Sequence, residues 1–123
     1  VIEGIGNDIV EIKRIASAIE RFGQKFLDKL FTQKEQEYCK RHEKSERNFS
    51  GRFAAKESIA KALGTGFGQE LNWLDIEILN ESNGKPVVFL SESLKKRVGE
   101  ITIHLSISHS KEFAVAVAIA ERQ

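Results

Sequence analysis

Asp8, Glu57 and Lys61 are the residues of this chain whose types and spacing best suit chemistry. Asp8 closes Gly4-Ile5-Gly6-Asn7-Asp8, where a short apolar strand gives way to a helical pattern. A carboxylate there has two readings. It caps a helix beginning near Ile9 by accepting from a free backbone N–H, or it is one ligand of a hard cation. Glu57 and Lys61 stand four residues apart, so on a helix they share a face, with Glu before Lys in the favoured order. They form an exposed ion pair, or Glu57 completes a divalent-cation site with Asp8 while Lys61 neutralises a nearby phosphate. Magnesium suits the second reading, since it is held by one or two carboxylates plus phosphate oxygens and water.

A second set of residues is suited to anions. Ser106-Ile107-Ser108-His109-Ser110 ends a strand in hydroxyls and an imidazole, which make either a phosphate pocket or a plain hairpin corner. Arg52 and Lys85 are further candidate phosphate-binding cations, although Lys85 follows an Asn83-Gly84 turn that leaves its head group open to solvent. Gly64-Thr65-Gly66-Phe67-Gly68 is not a Walker loop, because it follows a helix and lacks the closing Lys-Ser/Thr pair. The dinucleotide fingerprint and the Gly-x-Ser-x-Gly nucleophile motif are both missing. No Cys/His cluster offers a zinc site. Arg14, Ser17, Arg21 and Lys25 fall on one helical face, which is either simply solvated or docks an acidic protein.

The elements that must position these groups read as strand, helices, hairpin, helix, hairpin. Ile2 to Ile5 is a short strand. Ile12, Ile15, Ile19 and Phe22 form one apolar helical stripe that Gly23 ends or bends. Thr32-Gln33-Lys34-Glu35 is a capping box. Ser45 caps a long helix to about Leu63, and Gly64 is its C-terminal stop. Leu74, Ile76 and Ile78 alternate with acids, Asn83-Gly84 turns the chain, and Val87 to Leu90 return after Pro86. Ser91 to Val98 is a short helix. Ile101 to Ser108 alternates strictly. The last strand is apolar on both faces, with Phe113, Val115, Val117 and Ile119 alternating with four alanines. Such a strand is buried on both sides. A helix layer covers one face, and the alanine face packs against another subunit.

The whole chain has 123 residues, which suits one domain, 1–123. Nineteen Lys and Arg against eighteen Asp and Glu give a net charge of +1, which argues against a generally basic nucleic-acid binder. With 41% hydrophobic and 30% charged residues the chain is globular rather than disordered. No apolar run approaches the roughly 18 residues of a membrane span. Without a leader-like opening, and with Cys39 as its one cysteine, the expected setting is reducing and cytoplasmic.

Together these segments resemble the small bacterial holo-[acyl-carrier-protein] synthases, members of the 4′-phosphopantetheinyl transferases. The anchors are Gly4-Ile5-Gly6-Asn7-Asp8-Ile9, Phe49-Ser50-Gly51-Arg52-Phe53-Ala54-Ala55-Lys56-Glu57-Ser58, Lys61-Ala62-Leu63-Gly64-Thr65-Gly66, Asn83-Gly84-Lys85-Pro86 and Ser106-Ile107-Ser108-His109-Ser110. The resemblance implies transfer of 4′-phosphopantetheine from coenzyme A to a serine of apo acyl carrier protein in fatty-acid biosynthesis, releasing adenosine 3′,5′-bisphosphate. It implies magnesium on Asp8 and Glu57, with Lys61 as the third catalytic residue. It places Arg52, Phe53, Lys61, Gly84, Lys85, Pro86, His109 and Ser110 around the coenzyme, and Arg14, Arg21 and Lys25 on the carrier-docking face. It implies an α+β fold in which an antiparallel β-sheet packs with a long helix and shorter helices. It also implies a homotrimer with the sheets at its centre and active sites shared between neighbours. A non-catalytic module for an acidic partner, or another magnesium-dependent nucleotide transferase, are the alternatives. Asn7 is polar where the family usually has an apolar residue.

Overall fold

The computed structural model describes residues 1–123. The chain runs β1 (Ile2–Glu11), α1 (Ile12–Phe22), α2 (Gln24–Leu30), α3 (Gln33–Lys40), α4 (Ser45–Leu63), a 3-10 turn (Trp73–Asp75), β2 (Ile76–Asn80), β3 (Pro86–Leu90), α5 (Glu92–Val98), β4 (Ile101–His109) and β5 (Phe113–Arg122). Two antiparallel sheets form: β1-β5-β4, and the β2-β3 hairpin. The expected α+β class holds, with the sheet divided in two.

β5 is the middle strand of the larger sheet, and its alternation decides which face is which. Ala114, Ala116, Ala118 and Ala120 are all buried to 1% exposure or less, whereas Val115 and Val117 point outward. The alanine face therefore lies under α4 within the same chain. This corrects the expectation that the alanines meet another subunit; it is the larger side chains that remain open. Small side chains on the sheet let α4 seat its own Ala54, Ala55, Ile59 and Ala62 closely against it.

Gly4 and Gly6 serve the same close approach from β1. A methyl group on Gly4 would run into the backbone of Ala62, and one on Gly6 into the carbonyl of Ser58. Both glycines pair with β5 alanines, Gly4 with Ala120 and Gly6 with Ala118, so they share the inward face of the sheet. Asp8 pairs with Ala116 and is the next residue on that face. β1 continues to Glu11, longer than the short strand expected. Asp8 therefore sits inside a strand and caps no helix; Glu11 occupies the cap position of α1 and makes no side-chain capping bond.

The helical layer follows local rules. Thr32 and Glu35 form the reciprocal capping box, Ser91 caps α5, and Gly64 ends α4 in the left-handed region at φ 76°. Ser45 is the first residue of α4 rather than its cap; Lys44 stands there without a side-chain bond. Gly23, at φ 61°, separates α1 from α2.

One buried ion pair ties this layer together. Lys56 donates to Glu35 Oε1 at 2.8 Å, to the Leu30 carbonyl at 2.7 Å and to the Trp73 carbonyl at 3.0 Å. Glu35 Oε2 accepts from the Ile78 N–H. All three ammonium protons are used, as a fully buried lysine requires. Glu35 thus does far more than close its capping box.

Candidate active site

The inward face of β1 delivers Asp8 to the flank of α4, where Glu57 and Lys61 lie one turn apart. Lys61 Nζ donates to the Asn7 carbonyl at 2.8 Å and stands 3.3 Å from Asp8 Oδ1. Burial pushes the Glu57 carboxyl above its ordinary value, and the negative charge of Asp8 pushes it further; Lys61 pulls the other way. Two carboxylates near enough to repel, with incomplete compensation, suit a hard divalent cation. No cluster of three or more His, Cys, Asp or Glu exists, so Asp8 and Glu57 are the two carboxylates that could hold a cation here. That count matches magnesium, which leaves its other positions to water and substrate phosphate. The i,i+4 pairing of Glu57 with Lys61 gives way to a contact of Lys61 with β1.

A second cluster forms on the other side of α4. Tyr38, Gly51, Arg52, Asn80, Gly84 and His109 line a cavity of about 190 Å³, with Pro86 at its edge. Arg52 is 3% exposed, lies over the Tyr38 ring at 4.4 Å and donates to Asn80 Oδ1. Its Nε is buried and has no hydrogen-bond partner. Gly51 makes room for the imidazole, since a Cβ there would lie 2.7 Å from His109 Nε2. Burial depresses the His109 pKa below its ordinary value, and the cationic Arg47 and Arg52 depress it further. The cluster is thus a pocket of positive charge with donor capacity left over, the chemistry of a phosphate site.

The expected residues fall into these two groups, with exceptions. Asp8, Glu57 and Lys61 come together, as do Arg52, Gly84, Pro86 and His109. Phe53 stacks on Trp73 at 5.1 Å, and Trp73 on Phe67 at 3.8 Å, so Phe53 does not enter the Arg52 pocket. Ser110 is spent on the β4–β5 turn, where its Oγ accepts from the Phe113 N–H at 3.0 Å. Lys85 lines a larger cleft of about 770 Å³ between β3 and β4 that contains none of Asp8, Glu57, Lys61, Arg52 or His109. Arg14 and Arg21 are exposed on α1, but Lys25 lies beyond the Gly23 break on α2, so the basic face spans two helices. Arg21 also covers the exposed Phe22 ring at 5.3 Å.

Tyr38 and Asn80 line the pocket without any sequence signal, because each reaches it by tertiary packing, and Arg47 acts on His109 from nearby. Cys39 carries no chemistry: burial pushes its thiol up to about 12, which keeps it protonated and inert.

On α4 the two clusters are far apart. Arg52 and Lys61 are nine residues distant, about 13 Å along the axis at 1.5 Å per residue. The chain therefore holds two separate groups of candidate residues on one helix.

The chain is similar in sequence and in fold to known proteins. The family profile described as the 4′-phosphopantetheinyl transferase superfamily matches residues 4–118. The holo-[acyl-carrier-protein] synthase of Protochlamydia amoebophila is 49% identical over 116 residues, covering 94% of this chain and 95% of that protein. That of Chlamydia caviae is 51% identical, covering 94% and 93%. Among solved structures, the Helicobacter pylori holo-[acyl-carrier-protein] synthase in complex with coenzyme A superposes with a TM-score of 0.88 at 38% identity, covering 95% of this chain and 99% of that one. The Bacillus anthracis enzyme in complex with CoA (3′,5′-ADP) gives 0.86 at 42% identity, covering 99% and 98%.

Proposed function

The chain belongs to the 4′-phosphopantetheinyl transferase superfamily, and from that premise we propose that it is a holo-[acyl-carrier-protein] synthase. It transfers the 4′-phosphopantetheine of coenzyme A to a serine of apo acyl carrier protein, as the names of its near-full-length relatives and their coenzyme A complexes support. Residues 1–123 act as one catalytic domain in fatty-acid biosynthesis, in a reducing cytoplasmic setting. The convergence of Asp8, Glu57 and Lys61 carries the reading.

Asp8 and Glu57 would hold a magnesium ion, which would supply charge neutralisation at the coenzyme's pyrophosphate and polarise the phosphorus under attack. Lys61, anchored on the Asn7 carbonyl, directs its charge at the leaving phosphate. The carrier serine oxygen forms a bond to that phosphorus as the bond to adenosine 3′,5′-bisphosphate breaks. The serine proton goes to Glu57, directly or through water, or to another base; burial raises the Glu57 pKa, which suits it to that role. Arg52, His109 and the Gly84-Lys85-Pro86 turn bind the coenzyme, and Arg14, Arg21 and Lys25 receive the acidic carrier.

The protein works as a homotrimer. Ile5 and Ile9 of β1 are 67% and 62% exposed, and Phe113, Val115 and Val117 of β5 are 37%, 36% and 40% exposed on the same sheet face. An apolar sheet face left open to that degree calls for a protein partner. A neighbour's His109 and Lys85 regions would complete the Asp8–Glu57 site, which accounts for two half-sites held apart on one helix.

The direct test incubates the protein with coenzyme A, magnesium and an apo carrier, then weighs the carrier. A phosphopantetheine mass gain is expected. Coenzyme binding without transfer would favour a non-catalytic module.

A further inference from the structure

Arg52 is held by a neutral amide. Its guanidinium, 3% exposed, makes no ion pair with a carboxylate, although other cations of the chain do. Asn80 Oδ1 accepts from Arg52 Nη2, and the Tyr38 ring lies flat beneath the cation. The same amide reaches the other way, donating from Nδ2 to the Gly84 carbonyl at 2.9 Å. Asn80 ends β2 and Gly84 lies in the turn before β3, so one side chain joins α4 to the tip of the hairpin. Glu81, Gly84 and Lys85 complete that turn with backbone bonds, Glu81 N–H to the Lys85 carbonyl and Gly84 N–H to the Glu81 carbonyl.

We infer that Asn80 is a positioning residue for the coenzyme pocket: it aims the buried Arg52 guanidinium and fixes the Gly84 turn as one unit, without neutralising the arginine. The inference rests on the reading of this pocket as the coenzyme site. An acid at position 80 would grip Arg52 more strongly, since carboxylate–guanidinium bonds are the stronger kind. It would also spend the positive charge that a phosphate needs. The amide orients at no electrostatic cost, and the unpartnered Arg52 Nε marks the donor capacity kept for the ligand. Asn80 lies with Arg52 and Gly84 and not among Asp8, Glu57 and Lys61, so its loss falls on coenzyme binding and leaves the chemical step alone.

The experiment compares the parent with Asn80→Ala, Asn80→Asp, Arg52→Ala and the Asn80→Ala/Arg52→Ala double variant. Calorimetric titration with coenzyme A is paired with steady-state kinetics, and unfolding is followed without ligand. Asn80→Ala is expected to raise the coenzyme A Kd and KM about tenfold, the scale of one lost charged hydrogen bond, with kcat and the carrier KM near the parent values. In the Arg52→Ala background the same change should add less than about twofold, since coupled groups are not additive. Asn80→Asp is isosteric and spares the fold; it should weaken coenzyme A binding at least as much as alanine does. Parent-like binding by Asn80→Asp, multiplying losses in the double variant, or a fall in kcat with an unchanged KM would each overturn the inference. If the parent itself fails to bind coenzyme A, the coenzyme reading of the pocket falls first. Normal binding by the parent and equally by both Asn80 variants would remove the role of Asn80 alone.

Discussion

Burial, and after it the charge of Asp8, raise the Glu57 pKa, a strain that a bound cation would relieve. Asp8→Ala and Glu57→Ala are each expected to lower transfer at least about a thousandfold, on the scale of losing a group that stabilises charge in the transition state. Circular dichroism should still report a folded chain, because neither carboxylate belongs to the core. Near-parent transfer by either variant would refute the cation assignment. His109 sets a different expectation. Its pKa is depressed in the folded state, so below the ordinary value of 6.5 the unfolded chain takes up a proton that the folded chain resists. Stability is therefore unaffected above that pH and falls as pH drops from it through the depressed folded value. Urea melts across that range should show the decline, and His109→Gln should flatten it.

Elements were legible where local chemistry decides them. The capping box at Thr32, the stop at Gly64 and the Asn83-Gly84 hairpin each depend on residues within a few positions. Asp8 was misplaced because Gly-x-Gly-x-Asp looks like a loop entering a helix. The glycines are in fact strand positions emptied to admit α4, which only the packed helix reveals. Wheel spacing groups Lys25 with the α1 face although Gly23 reads as ending or bending that helix, and the structure puts it on α2. The close approach of β1 to α4 yields its own test. Gly6→Ala drives a methyl into the Ser58 carbonyl, a backbone atom that cannot swing aside. A loss of about 1–3 kcal/mol is expected, the usual cost of overpacking, measured by chemical denaturation. An unchanged midpoint would mean that the strand and helix are less tightly apposed than described.

At the scale of the molecule, near-neutral charge hides a sorted surface. Arg14 and Arg21 stand exposed on α1, with Lys25 following on α2. Arg14→Glu combined with Arg21→Glu should raise the carrier KM by about tenfold or more and leave the coenzyme A KM alone, since rim charges act on encounter. Steady-state kinetics with each substrate varied in turn would check this. The chain's alternation showed that β5 is apolar on both faces, but not which face the helix takes. Side-chain size decides it: alanines admit the helix, and Val115 and Val117 stay outside. Val117→Asp should therefore separate subunits without disturbing the α4 interface. Sedimentation should show a shift to monomer, and transfer should fall with it. A native monomer with full activity would contradict a shared site.

The aromatic stack beside α4 has an optical consequence. Trp73 is the only indole in the chain, with Phe67 parallel to it at 6° and Phe53 on its flank. Phe67 belongs to the glycine-rich crossing from α4 to β2, while Phe53 is fixed in the helix. Red-edge emission from this protein therefore reports on one locality, the seating of that crossing. An unlabelled chain carries its own fluorophore where the crossing from α4 enters β2.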